Sequence, residues 1–521
     1  MNLLDCLRRP VLHAPDRPAI LHDGHSVTYR QLWDRCLRGA ALLRQFARPG
    51  DRVAVIMLNR PSYLEAFYAN HLAHTLIVPL NIRWNVEDFV FAINDSESRV
   101  VMLDERFAAL LPVLQARCPS LETYLFAGDG ECPAGMVDWR SLANTAPLAT
   151  VDEPDEDSDV GLFYTSGTTG GPKAAILTHR NLFYNASLFF FEGFPSVSVY
   201  LHAAPMFHLA DIPSVYTVTM QSNAHAFLKG FDPVQLMQLV QDYRITGVTL
   251  VPTMIGMVLN HPRVGEFDLS SLQAVLYGAT PMPAVFLDLA RRMLPNCRFM
   301  QGYGMTELAP LATVLNMDDH ERDWTHLGEN PRYHPLRSAG RPVFGADVRV
   351  VDYQDRDVPA GDPGEVIVKS PGVMRGYWKR DDVNVEILRG GYMHTGDIGA
   401  FDELGYLYIL DRKKDMIKPG GENVFSPEVE GQIMAHPAVL EAAIIGVGHP
   451  KWGETIRAIV ALRPGHECTE QQLIDYCRER MTHFKCPTSV VFVEALPKGG
   501  TGKVQKMVLR EQYGAPVEAT A

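Results

Sequence analysis

The run Tyr164-Thr165-Ser166-Gly167-Thr168-Thr169-Gly170-Gly171-Pro172-Lys173 constrains this chain more than any other, because it packs hydroxyls, glycines and a cation into one loop. That inventory suits a polyphosphate. Glycines let backbone N–H groups approach phosphate oxygens and form an anion nest, the hydroxyls add donors, and Lys173 supplies charge. An apolar stretch, Val160-Gly161-Leu162-Phe163-Tyr164, precedes the loop and reads as a strand, and Asn181 to Phe191 beyond it reads as a helix. A Walker A loop, G-x-x-x-x-G-K-[ST], fails at two positions. Counting from Gly167, Pro172 stands where the second glycine belongs, and Ala174 replaces the magnesium-binding Ser or Thr. A P-loop kinase or NTPase is therefore set aside.

As it stands, the loop resembles the phosphate-binding signature of the acyl-adenylate-forming superfamily, which includes acyl- and aryl-CoA synthetases, luciferases and peptide-synthetase adenylation domains. Four further motifs follow in that superfamily's order. Gln301-Gly302-Tyr303-Gly304-Met305-Thr306-Glu307 looks like its adenine and magnesium motif, and Tyr392-Met393-His394-Thr395-Gly396-Asp397 like its ribose motif. Asp411-Arg412-Lys413-Lys414-Asp415 looks like its hinge, and Pro497-Lys498-Gly499-Gly500-Thr501-Gly502-Lys503 like its catalytic-lysine loop. One departure is visible: the residue after the loop lysine is usually glycine in the family and is Ala174 here, a change that bears on loop mobility rather than on ATP binding.

At 521 residues the chain is too long for a single core. Its 46% hydrophobic and 21% charged residues are ordinary globular values. A net charge of −13 argues against nucleic acid as a partner. ATP, CoA and a carboxylic acid are also anions, so Lys173, Arg412 and Lys503 must dominate the local field. The eight scattered cysteines show no C-x-x-C pair and no metal-ligand spacing, which reads as reduced thiols in a cytoplasmic protein. No long apolar run suggests a signal peptide or a transmembrane segment.

Short apolar runs alternate with helical patterns, as in Arg52 to Leu58 followed by an amphipathic Ser62 to His71, and Leu76–Leu80, Val100–Leu103, Gly247–Val251 and Ala274–Tyr277 are further strand candidates. This predicts an α/β fold with helix-covered parallel sheets. From Asp347 the pattern changes to short alternating strands, which predict a small antiparallel subdomain. Beyond Lys414 comes a compact α+β segment. The expected division is a large N-terminal AMP- and acyl-binding domain over 1–413, and a small mobile C-terminal domain over 414–521 hinged at Lys414.

The chemistry expected of such a site begins with a carboxylate attacking the α-phosphorus of ATP. An anion then meets a polyanion, and the site must supply cations and oriented donors. The resemblance implies that Thr165, Ser166, Gly167, Thr168, Thr169 and Lys173 hold phosphates, and that Gly278, Ala279, Thr280, Gln301, Gly302, Tyr303, Gly304 and Met305 surround adenine. It implies further that Thr306 contacts the α-phosphate, that Glu307 binds Mg2+, that Asp397 takes the ribose diol and that Arg412 contacts ribose or phosphate. Lys503 is the implied catalytic lysine of adenylation. Rotation about Lys414 would then bring Gly420 and Gly421 to the thioester-forming site, with Trp452 near the CoA nucleotide.

For the acyl group, Ala204-Pro205-Met206-Phe207-His208-Leu209-Ala210 resembles the family's segment that supplies a pocket wall and a histidine, His208, near the acyl carbonyl, and Val251, Gly278 and Gly304 are implied as further walls, all apolar or small and without a basic residue to pair a second carboxylate. An AMP-forming acid–CoA ligase is expected, acting on a medium- or long-chain fatty acid ahead of an aryl acid. The alternatives are a ligase that loads a separate carrier protein and a nucleotide-binding protein without turnover.

Overall fold

The computed structural model describes residues 1–165, 172–278, 280, 282, 284–327, 333–498 and 504–516. Of the expected site residues, Ser166, Gly167, Thr168, Thr169, Ala279 and Lys503 lie outside this set. The chain forms two compact units, one of residues 1–348 with 368–393, the other of residues 349–367 with 394–521.

The first unit carries two large sheets, as the strand–helix alternation predicts. The nine-stranded sheet runs in the order Arg341–Pro342, Leu311–Leu315, Arg298–Gly304, Ala274–Gly278, Gly247–Leu250, Val199–His202, Ala224–Phe227, Pro18–His22, His25–Thr28. Its middle is parallel, with Gly247, Ala274 and Arg298 in register along successive strands. Helices Pro252–Leu259 and Ala284–Met293 make the crossovers that parallel pairing requires. The eight-stranded sheet runs Gly376–Tyr377, Lys173–Thr178, Asp159–Thr165, Leu76–Pro79, Arg52–Ile56, Val100–Leu103, Thr123–Phe126, Val137–Asp138.

Two local expectations need correction. The phosphate-loop segment does not run from strand directly to helix: Lys173–Thr178 is itself a strand, antiparallel to Asp159–Thr165, with Thr165 opposite Lys173. Ala174, Ala175 and Leu177 are buried in it, and only then does helix His179–Phe191 begin, capped by Thr178, whose side chain accepts the Asn181 N–H. The helix expected to be amphipathic, Pro61–Ala73, is buried on every side from Tyr63 to Ala73. Its Glu65, Asn70 and His71 are polar residues inside the core, each with partners: Trp139 Nε1 donates to Glu65, Asn70 donates to the Ala66 carbonyl, and His71 Nε2 meets the Tyr216 hydroxyl at 2.8 Å.

The second unit contains most of a four-stranded sheet, Asp347–Val351, Gly364–Lys369, Met393–Phe401 and Leu407–Arg412, the last two antiparallel. It also holds a three-stranded sheet of Val439–His449, Gly453–Leu462 and Ser489–Val493, with helices Ser426–Met434 and Glu470–Arg478 packed on it. The strands alternate as the sequence pattern requires, and Ile444, Ile456 and Val460 are buried beneath the helices. Ile444 is fully buried. Ile444→Ala is expected to destabilise the protein by roughly 2–5 kcal/mol, the usual cost of truncating a core isoleucine. A urea titration followed by circular dichroism, with an unchanged midpoint as the contrary result, checks this.

Candidate active site

The adenine and acyl candidates in the first unit fall along one edge of the nine-stranded sheet, whereas Thr165 and Lys173 belong to the eight-stranded sheet. Gln301–Gly304 ends its strand, Gly278 ends the neighbouring strand, Val251 follows the next at Leu250, and His208 lies in the segment leaving Val199–His202. These four strands are parallel neighbours, so the positions line up at their carboxyl ends, where open α/β sheets take ligands. Thr280, also assigned to adenine, is exposed just beyond Gly278.

Bare backbone is a requirement at this edge. A Cβ on Gly278 would lie 2.5 Å from the Gly302 carbonyl oxygen, and one on Gly304 would lie 1.8 Å from the Pro310 carbonyl oxygen. Neither neighbour is a side chain that can turn away, so Gly278 sets strand spacing whatever it contributes to an acyl channel.

After Gly304 the chain turns sharply through Thr306–Leu308 and returns as Leu311–Leu315. The turn is closed by Met305 N–H donating to the Pro310 carbonyl at 2.9 Å, with Ala309 in the left-handed region at φ 64°. Buried Asn185, on helix His179–Phe191, holds both limbs: its amide donates to the Leu308 carbonyl, and its Oδ1 accepts from Leu311 N–H, each at 2.9 Å. One helical turn earlier, Asn181 donates to the carbonyls of Pro371 and Val373 at 2.8 and 2.9 Å. That segment leads to the edge strand Gly376–Tyr377, which pairs with Lys173–Thr178.

These anchors bring three groups together. The Tyr377 hydroxyl donates to Glu307 Oε1 at 2.5 Å, and the Lys173 ammonium lies 5.5 Å from the centroid of the Tyr377 ring, a cation–π distance. The Glu307 carbonyl accepts from Met374 N–H, and its side chain is 8% exposed. Tyr377, Asn181 and Asn185 were not anticipated from sequence; the one readable sign is that Asn181, which closes the Thr178 capping box, and Asn185 lie four residues apart on one helix face.

Glu307 suits magnesium. Among the described residues no cluster of three or more His, Cys, Asp or Glu side chains could hold a metal unaided, and magnesium usually takes one or two carboxylates with the rest of its shell from phosphate and water. Bound there beside ATP, it would neutralise phosphate charge. His208 accepts the Ala210 N–H through Nδ1 at 3.1 Å, so the proton of the neutral ring sits on Nε2.

In the second unit, Asp397 and Arg412 lie opposite each other in adjacent strands and pair at 2.7 Å from Nε to Oδ1. Asp397 is nearly buried, and its backbone N–H donates to the Thr395 hydroxyl. The segment after Arg412 is tied down by Arg510, which pairs with Asp415 at 2.7 Å, and burial lowers the Lys414 ammonium from its usual range. Two positions assigned to CoA from separate motifs prove to be neighbours: Gly420 N–H donates to the Trp452 carbonyl at 2.9 Å, and a Cβ on Gly420 would meet the indole at 3.1 Å. Gly420 and Gly421 both have positive φ, 61° and 93°, where glycine is strongly favoured.

Removing the Asn185 side chain would leave a buried carbonyl and a buried N–H unpaired, each a penalty of about 1–3 kcal/mol. Asn185→Ala should therefore lower the thermal midpoint by several degrees, and it should also weaken ATP binding in the presence of magnesium, because the Glu307 turn loses its support. Calorimetric titration with ATP checks the second effect, and wild-type affinity would separate Asn185 from the site.

Residues 7–378 match the AMP-binding enzyme family, and residues 428–503 match the AMP-binding enzyme C-terminal domain. A feruloyl-CoA synthase from Amycolatopsis sp is 38% identical over 96% of this chain and 97% of the relative. A long-chain-fatty-acid–CoA ligase from Mycobacterium tuberculosis is 32% identical over 94% of each. The solved structure of o-succinylbenzoate coenzyme A synthetase from Bacillus subtilis, in complex with ATP and magnesium ion, aligns at a TM-score of 0.82 with 26% identity, covering 97% of this chain and 99% of that one. Full-length similarity of this kind, in a chain that carries these motifs, has one reading: the chain belongs to the AMP-binding enzyme family, in its branch of acyl- and aryl-CoA ligases.

Proposed function

We propose that this protein activates a carboxylic acid with ATP, through an acyl-adenylate, and transfers the acyl group to CoA, and that its acid is an aryl acid of the cinnamate type. The reading of the site rests on one observation above all, the alignment of Gly304, Gly278, Val251 and His208 along the carboxyl edge of four parallel strands. The choice of acid rests on the feruloyl-CoA synthase, which shares more of this sequence than the fatty-acid ligase does over a similar span. It reverses the order expected from an apolar lining alone. A fatty acid is the second reading, favoured by that lining.

In this scheme the chain's own groups divide the work. Lys173 and the loop before it hold phosphate charge, Thr306 donates to the α-phosphate, and Lys503 bridges the carboxylate and the α-phosphate as charge builds between them. Glu307 receives magnesium. Tyr303 offers adenine a flat face, and the Asp397 carboxylate can accept from both ribose hydroxyls. Gly420, Gly421 and Trp452 would serve the CoA arm once the C-terminal domain, beginning at Lys414, turns about that residue.

AMP release with CoA present, measured across ferulate, cinnamate, benzoate and straight-chain acids of six to sixteen carbons (about the span from medium to long chains), tests the proposal. Ferulate or cinnamate should give the highest kcat/KM. A maximum among the straight-chain acids, where each added methylene buries about 0.8 kcal/mol, would establish the second reading instead, and no AMP release with any acid would overturn the ligase assignment.

Lys503→Ala should depress acyl-adenylate formation by at least about 10²-fold, the scale of removing one oriented electrostatic contact. CoA transfer from preformed acyl-adenylate should be spared. Equal loss in both half-reactions would remove Lys503 from the adenylation role.

A further inference from the structure

The segment between Val199–His202 and helix Ile212–Met220 carries His208 but contains no helix or strand of its own. A stretch without a hydrogen-bonded ladder must be held by other means if it is to present a side chain at a fixed place. Here one side chain, from the turn that follows a strand of the other large sheet, makes three of the hydrogen bonds that hold it. Asn59 follows strand Arg52–Ile56, precedes helix Pro61–Ala73 and is 5% exposed. Its Nδ2 donates to the His202 carbonyl at 2.9 Å and to the Ala204 carbonyl at 2.8 Å, while its Oδ1 accepts from Met206 N–H at 2.8 Å. Both donors and the acceptor are engaged, and turning the amide over would set oxygen against two carbonyls and nitrogen against an N–H, so its orientation is fixed by its partners.

Asn59 is itself anchored on both sides. Leu58 N–H donates to buried Asp104 at 2.7 Å, and the Arg60 guanidinium, 2% exposed, pairs with Glu105 and Asp129 at 2.7 Å each. The far end of the segment has a second clamp. Asp211, fully buried just before the Ile212–Met220 helix, meets His202 Nδ1 at 2.5 Å, so the residues at the two ends of the 203–210 stretch are joined side chain to side chain. His202 continues through Nε2 to His225 at 2.9 Å, and His225 to Thr219 at 3.0 Å, which leaves no donor-bearing ring nitrogen of this pair without a partner.

We propose that Asn59 is a positioning residue for the acid site: it ties the two large sheets together at the His208 segment and thereby sets where that segment meets the acid. This rests on the reading that the His208 segment faces the acid. Among the described residues the Asn59 amide bonds to His202, Ala204 and Met206, none of them a nucleotide-binding position in this scheme, so its loss acts on the acid and not on ATP.

The test uses the full chain carrying Asn59→Asp, which keeps the shape of the side chain but replaces the two donors facing carbonyls by an acceptor. Pyrophosphate release without CoA is followed against ferulate, with dodecanoate in its place if ferulate is not turned over, and separately against ATP. The expected result is a loss of about 10- to 100-fold in kcat/KM for the acid, the scale of a displacement of about 1 Å, with the KM for ATP within about twofold of wild type by the same argument. Deuterium exchange by mass spectrometry should show faster exchange at residues 206–211. If the aspartate variant does not accumulate as folded protein, Asn59→Ala carries the same expectation without placing a charge beside the carbonyls. Unchanged acid kinetics with unchanged exchange, or parallel losses for acid and ATP, would overturn the proposal. His208→Ala separates the two layers: if it leaves acid kinetics untouched, the acid-facing reading of the segment fails, and the exchange measurement still decides whether Asn59 holds it.

Discussion

Asn185, donating to the Leu308 carbonyl and accepting from the Leu311 N–H, holds the turn that carries Glu307 to Tyr377 and Lys173. An asparagine can donate and accept at once, which lets a single side chain close over both limbs of a turn whose own backbone is only partly paired. Because Asn185 and Asn181 lie four residues apart on one helix, the Glu307 turn and the Tyr377 strand share a support, and that helix grows directly out of the strand that begins at Lys173. The spacing among a cation, a phenol and a carboxylate is then fixed by one rigid element instead of three loops. Polar anchors of this kind are costly if half satisfied. Here both amides are in use.

Legibility from sequence followed the range of the interactions concerned. The alternating strands and helices were readable, since burial on a parallel sheet leaves continuous apolar runs at Arg52–Ile56, Val100–Leu103, Gly247–Leu250 and Ala274–Gly278. The motifs carrying Tyr303, Glu307, Asp397 and Arg412 were readable because glycine and charge are spaced within a few residues. Other features were hidden because their partners are far away in the chain. Tyr377 meets Glu307 across 70 positions and Asn59 meets Met206 across 147. Periodicity misjudged helix Pro61–Ala73, since a helix enclosed by other elements can place Glu65 and His71 inside the core, provided Trp139, Arg35 and Tyr216 reach them. The strand Lys173–Thr178 was missed because two alanines give it weak strand propensity, and its neighbour Asp159–Thr165 supplies the pairing.

The second unit applies a related economy to different chemistry. Asp397 and Arg412 face each other across a two-strand ladder, so the acceptor assigned to ribose and the adjacent cation have a separation set by backbone pairing. Gly420 and Trp452 are joined by one main-chain bond, with glycine allowing the indole to approach. A bulkier residue at Gly420 would press on the ring and also adopt an unfavourable φ.

The hairpin register at Thr165 and Lys173 has a further consequence for how such a protein can vary. Thr165 and Lys173 are partners in the ladder, so the entropy of closing the chain between them depends only slowly on its length, by about 0.6 kcal/mol per doubling. The strands at its base have no such latitude. A slip of one residue in either would send Lys173 to the opposite face of the sheet and exchange Ala174 and Ala175 between the two core clusters they pack in. Closure entropy therefore does not fix the length of this stretch; the phosphate contacts proposed for its residues do, while packing on both faces fixes the register of the strands beneath it.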